Sequence, residues 1–258
     1  MNEHPRVSDI LNQVRDGILD PQTAESRLTA MAVTRVGDVA NLDMERCSRC
    51  GMPEVVLAEG KDTDSLVKIM HSYVLASGRC VASRITSDQV KAVCQKLPDG
   101  ITAEIREPGG ILILSDGTKP IPSGGTVGIM TAGTSDIRVA EEARSIAEEM
   151  GARVITSFDV GVAGIHRLIP ALEKLREADV YVVCAGREGT LPSVVAGLVD
   201  KPVIGVPVST GYGYMGQGAA ALASMLQSCA VITVVNIDAG FTAGAFAARI
   251  AALIGEKK

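Results

Sequence analysis

Five apolar runs of strand length follow one another beyond residue 125, near 126–131, 153–158, 179–184, 202–206 and 231–236, each with a helix-length segment behind it. They are rich in Val and Ile and show no apolar–polar alternation. Strands of that kind, joined by helical crossovers, form a parallel sheet buried under helices on both faces. Ligands of such sheets sit outside the carboxyl ends of the strands. Here those ends read Gly133-Thr-Ser-Asp136, Phe158-Asp-Val-Gly161, Ala185-Gly-Arg-Glu-Gly189, Pro207-Val-Ser-Thr-Gly-Tyr-Gly213 and Asn236-Ile-Asp-Ala-Gly240, so glycine and polar groups converge on one rim.

The first of these ends suits a phosphate. Gly133 removes the Cβ that would hold a ligand off the backbone, and Ser135 or Asp136 can N-cap the helix that follows. The stretch is not a full GxGxxG fingerprint, and the same turn also serves a plain strand-to-helix connection.

Ahead of the five runs, residues 6–31 carry apolar positions at helical spacing, with Asp20-Pro21 placed as N-cap and first residue of a second helix. Residues 38–61 are dense in charge around one short strand, and Cys47-Ser-Arg-Cys50 is a single CxxC with no second pair or histidine pair to complete a zinc site. Both thiols read as incidental. From 54 to 115 strands and helices alternate: strand 54–58, helix 62–75, strand 79–83, helix 87–97, then strands 101–106 and 110–115 joined as a hairpin at Gly109-Gly110. Pro120, Pro122, Gly124 and Gly125 mark a linker, which divides the chain into N-terminal helices with a small α/β domain at 1–124 and a larger domain at 125–258.

Trp is absent and Phe and Tyr are few, so the core is expected to be aliphatic. A net charge of −5 argues against nucleic acid or an anionic membrane as partner. Met1–Val7 lacks a signal peptide's cationic start, and no apolar run approaches the roughly 18 residues that span a bilayer. A cytoplasmic protein with six reduced cysteines is the expectation.

Gly133-Thr-Ser-Asp136 after the first strand, Leu191-Pro192 behind a Gly-rich turn and Gly205-Val-Pro207 together resemble the PurE-type carboxylases, which move CO2 on aminoimidazole ribonucleotide. Those enzymes carry Ser-Ala-His-Arg after strand two and Ala-Ala-His before Leu-Pro. This chain has Phe158-Asp-Val-Gly-Val-Ala-Gly-Ile-His-Arg167 and Gly186-Arg-Glu-Gly-Thr190 instead. Those replacements, with Leu42-Asp43, Arg46, Arg49, Gly51, Pro53-Glu54-Val55, Gly60-Lys61 and the segment from Ser228-Cys229-Ala230 to Asn236-Ile-Asp238, resemble the LarB family over residues 34–254.

The resemblance implies a doubly wound, flavodoxin-like C-terminal domain and an enzyme that carboxylates nicotinic acid adenine dinucleotide at pyridinium C5, then hydrolyses its phosphoanhydride to release AMP. The product would be pyridinium-3,5-biscarboxylic acid mononucleotide, a precursor of the nickel-pincer nucleotide that matures lactate racemase. CO2 or bicarbonate is the co-substrate. A pyridinium ring attacks CO2 only after a nucleophile has added to it, and a cysteine thiolate adds and leaves near neutral pH. Cys229 is the candidate nucleophile, although by position alone it reads as a small buried hydrophobe. Asp159 and Glu188 are candidates for the base that takes the C5 proton or for orienting the ring, with His166 a rival. Arg46, Arg49 and Lys61 are candidate cations for the pyrophosphate, while Gly133, Ser135, Asp136, Gly211 and Gly213 would hold phosphate and ribose. Mg2+ is implied by phosphate chemistry, its ligands unassigned, and no organic cofactor is implied. The Gly- and Ala-rich helices near 214–228 and 241–254 are expected at the contacts of a homo-oligomer, an octamer by resemblance. An aminoimidazole ribonucleotide carboxylase or mutase, and a non-catalytic nucleotide-binding subunit, stand as alternatives.

Overall fold

The computed structural model describes residues 7–31, 33–36, 40–43, 46 and 51–255. They fall into two compact units divided between Glu54 and Val55.

In the first unit α1 (Val7–Arg15) and α2 (Pro21–Met31) form the expected helical pair. Asp20 caps α2: its side chain accepts from the Thr23 N–H at 2.9 Å, which satisfies one of the donors a helix start leaves unpaired. Ile10, Leu19 and Ala24 are buried together, with Val14 and Leu28 against them. A short antiparallel ladder that the sequence did not suggest follows, β1 (Val33–Val36) and β2 (Ala40–Asp43), with Val33 opposite Asp43. Cys47, Arg49 and Cys50 lie outside the described residues.

The second unit holds two sheets, and residue 124 falls between them. The smaller is built from β3 (Val55–Leu57), α3 (Thr63–Ser77), β4 (Arg79–Ser83), α4 (Ser87–Gln95), β5 (Thr102–Arg106) and β6 (Ile111–Ser115), in strand order β3-β4-β6-β5. β3 runs parallel to β4 and the other pairs are antiparallel. β6 is buried along its whole length, as its Ile-Leu-Ile-Leu sequence demands. Both helices are capped locally. Asp62 accepts from the Ser65 N–H at 2.9 Å, and Thr86 and Gln89 cap each other reciprocally.

The larger sheet contains β7 (Thr126–Thr131), β8 (Arg153–Ser157), β9 (Val180–Ala185), β10 (Val203–Pro207) and β11 (Thr233–Val234), all parallel, in the order β8-β7-β9-β10-β11. This is the expected doubly wound, PurE-like sheet. α5 (Ile137–Glu149) and α9 (Gly240–Gly255) cover one face over Val127, Ile129, Val180 and Val182. α6 (Leu168–Lys174), α7 (Leu191–Ala196) and α8 (Ala219–Leu226) cover the other over Met130, Tyr181, Val183 and Val203. Strand 231–236 shrinks to two residues because it is an edge strand whose end turns away at Asn236, whose side chain accepts from the Ile237 N–H at 2.8 Å. The helix expected near 214–228 begins only at Ala219, since Gln217 and Gly218 both take left-handed φ (55° and 80°).

The small residues of α9 face α5 of the same chain: a Cβ on Gly244 would stand 2.2 Å from the Ala143 carbonyl oxygen, and Ala243, Ala247 and Ala251 are fully buried. That face closes an internal helix pair.

Charge ties the two sheets of this unit together along α5. Arg79 grips Glu149 with two donors at 2.5 and 2.7 Å, and Arg106 donates to Glu148 at 2.6 Å. Forked pairs of this kind fix orientation as well as distance.

Candidate active site

β7 pairs with β8 on one side and with β9 on the other, and the crossover from β8 to β9 passes over it, so the strand order reverses between β7 and β9. A cleft of about 400 Å³ opens there, lined by Gly133, Ser135 and Asp136 after β7, Gly161 and Val162 after β8, Gly186, Arg187 and Glu188 after β9, and Thr210 and Tyr212 after β10. It is the crevice that the topology of an open parallel sheet provides.

Asp136 holds the cleft's floor. Its carboxylate does not cap α5, as its position suggested; a single 3-10 turn, Thr134–Asp136, comes first. The carboxylate instead turns inward, accepts from the Gly133 N–H at 2.8 Å and from the Thr210 hydroxyl at 3.2 Å, and so ties the β7 end to the β10 end. Burial raises its pKa above the ordinary range, against the lowering effect of the Gly133 and Thr210 hydrogen bonds. A group so engaged shapes the turn after β7, and leaves exposed Ser135 and the first N–H groups of the helix facing outward.

Among the described residues five non-glycine residues adopt left-handed φ: Arg84, Asp159, Arg187, Gln217 and Asp238. Each lies in the segment that leaves the carboxyl end of a strand. Such backbone costs of order 1 kcal/mol per residue and persists where surroundings hold it. Arg187 shows how: a Cβ on Gly186 would meet the Thr210 hydroxyl at 2.7 Å, and one on Gly211 would stand 3.2 Å from the Arg187 nitrogen, so the β9 and β10 loops touch backbone to backbone. The turn presents Glu188, exposed, into the cleft, and among the described residues Glu188 makes no hydrogen bond or ion pair.

Gly133, Ser135, Asp136 and Glu188 are thus brought together. Gly211 serves the loop approach just described, and Gly213 (φ 98°) turns the same loop. Asp159 sits beside the cleft with its carboxylate taken by Arg167 at 2.6 Å, and its own N–H donates to the Thr131 hydroxyl at 3.0 Å. His166 is exposed on the turn Val162–Arg167 and does not line the cleft. Lys61 is exposed on the small sheet's rim, after β3. Arg46, in the first unit, pairs with Glu54 at 3.2 Å.

Cys229 is exposed, whereas Cys80 and Cys184 are buried and Cys94 is half-buried. Burial pushes the Cys184 thiol well up, which leaves it inert. Cys229 precedes β11 and therefore stands at the amino end of that strand, while the cleft lies outside the carboxyl ends. It does not line the cleft of its own chain.

Sequence reading gave no role to Arg84, Arg187 or Thr210, and reached Tyr212 only as part of the Gly211–Gly213 loop. Thr210 and Tyr212 stood in a polar strand-end segment and were legible there. Arg84 was not, because its partners Asp238 and Glu142 lie far along the chain.

Residues 126–257 match the family model described as AIR carboxylase. The chain belongs to the AIR carboxylase family. Residues 33–115 match the LarB/PurE-like N-terminal domain, which makes this a LarB-type member with a PurE-like C-terminal domain. An uncharacterized protein of Methanocaldococcus jannaschii is 42% identical over 256 residues, covering 96% of this chain and 98% of its own. The N5-carboxyaminoimidazole ribonucleotide mutase of the same organism is 39% identical over 133 residues, 50% of this chain and 80% of its own. A probable mutase of that kind from Methanothermobacter thermautotrophicus is 33% identical over 128 residues, 47% of this chain and 36% of its own. Among the described residues no helix is long and apolar enough to cross a membrane.

Proposed function

We propose that this AIR carboxylase-like protein carboxylates nicotinic acid adenine dinucleotide at pyridinium C5 and hydrolyses the phosphoanhydride, giving pyridinium-3,5-biscarboxylic acid mononucleotide and AMP in the cytoplasm. The observation that carries this reading is the LarB-type N-terminal domain joined to a PurE-like cleft whose β9 loop presents Glu188.

The chemistry follows from charge. A thiolate forms a C–S bond at C6 and quenches the ring cation, which makes C5 an enamine carbon that attacks CO2. Removal of the C5 proton then expels the thiolate and restores the aromatic ring. Glu188 is our base for that proton, a reading supported by its position on the cleft wall and by a carboxylate that is exposed and unpartnered among the described residues. The Gly133–Ser135 turn suits a phosphate, and Lys61, Arg46 and Arg49 remain the candidate cations for the anhydride.

Cys229 is our nucleophile because its thiol is exposed. Its distance in the fold from its own cleft leads us to assign it to the cleft of a neighbouring copy, within a homo-oligomer of this chain. Among the described residues no three His, Cys, Asp or Glu side chains gather that could hold Mg2+. No step here is routed through it.

Mass spectrometry after incubation with bicarbonate and the dinucleotide tests the reading, with AMP and a dicarboxylated mononucleotide as the expected products. The similarity to the mutases favours one second reading, aminoimidazole ribonucleotide as substrate. Consumption of that nucleotide with the dinucleotide untouched would move the protein there, and binding without turnover of either would make it a non-catalytic subunit.

A further inference from the structure

We infer that the face of Tyr212 receives the cationic ring of the substrate, and that Arg187 occupies that face until the ring arrives. The inference deepens the pyridinium reading above and rests on it.

The Arg187 guanidinium carbon lies 4.3 Å from the centroid of the Tyr212 ring. Both residues line the cleft. An aromatic face carries negative potential and attracts cations, Arg and ligand cations alike. Tyr212 is 77% exposed, so the ring is not there to fill a core. Among the described residues Arg187 makes no ion pair, and its charge rests on the aromatic face alone.

The loop that carries the ring is nevertheless fixed. The Ser209 N–H donates to Asp238 at 2.9 Å, Thr210 donates to Asp136, and the Gln217 N–H closes the loop on the Gly211 carbonyl at 3.0 Å. Gly211 lies directly against the Arg187 backbone. A preorganised π face therefore stands at the cleft beside an arginine with no carboxylate to hold it. A pyridinium nucleotide offers each of them a better partner, its ring cation to Tyr212 and its phosphate to Arg187. A neutral ring would gain the stacking but not the charge.

Equilibrium dialysis of nicotinic acid adenine dinucleotide and of its 1,4-dihydro form, whose ring is uncharged, on wild type, Tyr212→Phe and Tyr212→Leu, tests this. Wild type and Tyr212→Phe should prefer the cationic ring by about fivefold, the size of a partly exposed cation–π contact. Tyr212→Leu should bind both forms alike, with an unchanged melting temperature as the check on folding. If Tyr212→Leu weakens both forms equally, or keeps the wild-type ratio, the inference fails and the dinucleotide reading survives. If wild type binds neither form, both fall.

Discussion

The Arg84 guanidinium donates to the Asp238 carbonyl at 2.9 Å, so the loop after β4 in the small sheet is tied to the end of the last strand in the large one. The same side chain pairs with Glu59 at 2.9 Å and lies 3.7 Å from Glu142. Arg84→Ala should lower unfolding free energy by about 1–2 kcal/mol, because it breaks a charged hydrogen bond and strips a buried glutamate of its nearest cation. Arg84→Lys keeps the charge without the fork and should recover less than half. Urea denaturation of the three proteins decides it.

Glu142 gives a pH dependence of known sign. Burial raises its pKa, with Arg84 and Arg138 acting against the shift and Asp238 with it. Between the ordinary and the raised value the folded protein keeps a proton that the unfolded chain has released. Its stabilising share is complete below the ordinary glutamate range and is lost as pH rises through the raised value. Glu142→Gln mimics the protonated form and should match wild type near about pH 4 yet exceed it at neutral pH. Thermal melts across that range read the difference, and parallel curves would refute the assignment.

Gly244→Ala should cost about 1–3 kcal/mol, since the added methyl has only backbone to push against where α9 meets α5. Gly213→Ala meets nothing within 4 Å but must adopt φ 98°, so its cost comes from backbone strain alone. Chemical denaturation of the pair separates crowding from strain: structural relaxation at α9 should change the first and leave the second.

Cys229→Ser and Glu188→Gln should each abolish carboxylation, with dinucleotide binding largely retained. If a neighbouring copy supplies the thiol, unfolding and refolding the two inactive chains together should restore turnover. In a dimer-like pairing of random mixtures about a quarter of the sites would hold both intact groups, an order-of-magnitude expectation from site statistics. No recovery, with mixed oligomers demonstrated by mass, would put the thiol and the carboxylate in one chain or remove Cys229 from the chemistry. Cys47→Ser and Cys50→Ser should be tolerated.

Much of this was legible in advance. The five Val- and Ile-rich runs specify parallel strands by composition alone, and strand 126–131 stands where its apolar run predicted. The convergence of Gly133, Ser135, Asp136 and Glu188 followed from topology, because every parallel strand delivers its carboxyl end to the same rim. What one sequence could not show is where a side chain turns once it gets there. Asp136 looked like a cap and became a brace, since the Thr210 hydroxyl that claims it is 74 residues away. The Gly and Ala positions of α9 were read as a subunit contact, and their packing on α5 of the same chain was not foreseen, because no local pattern says which helix a small-residue face will meet. Cys229 was nameable from resemblance, and its place before the edge strand β11 gave no sign that it would stand away from the cleft of its own chain.

The uneven placement of the tyrosines gives the molecule a built-in optical reporter. There is no tryptophan to dominate its emission, and of the four tyrosines Tyr73 and Tyr181 are buried in the two sheets' cores while Tyr212 and Tyr214 are exposed on the loop after β10. The buried pair supplies a steady background. Any change in ultraviolet fluorescence on adding a ligand therefore originates within a few residues of the cleft, so occupancy can be followed in real time with no label attached.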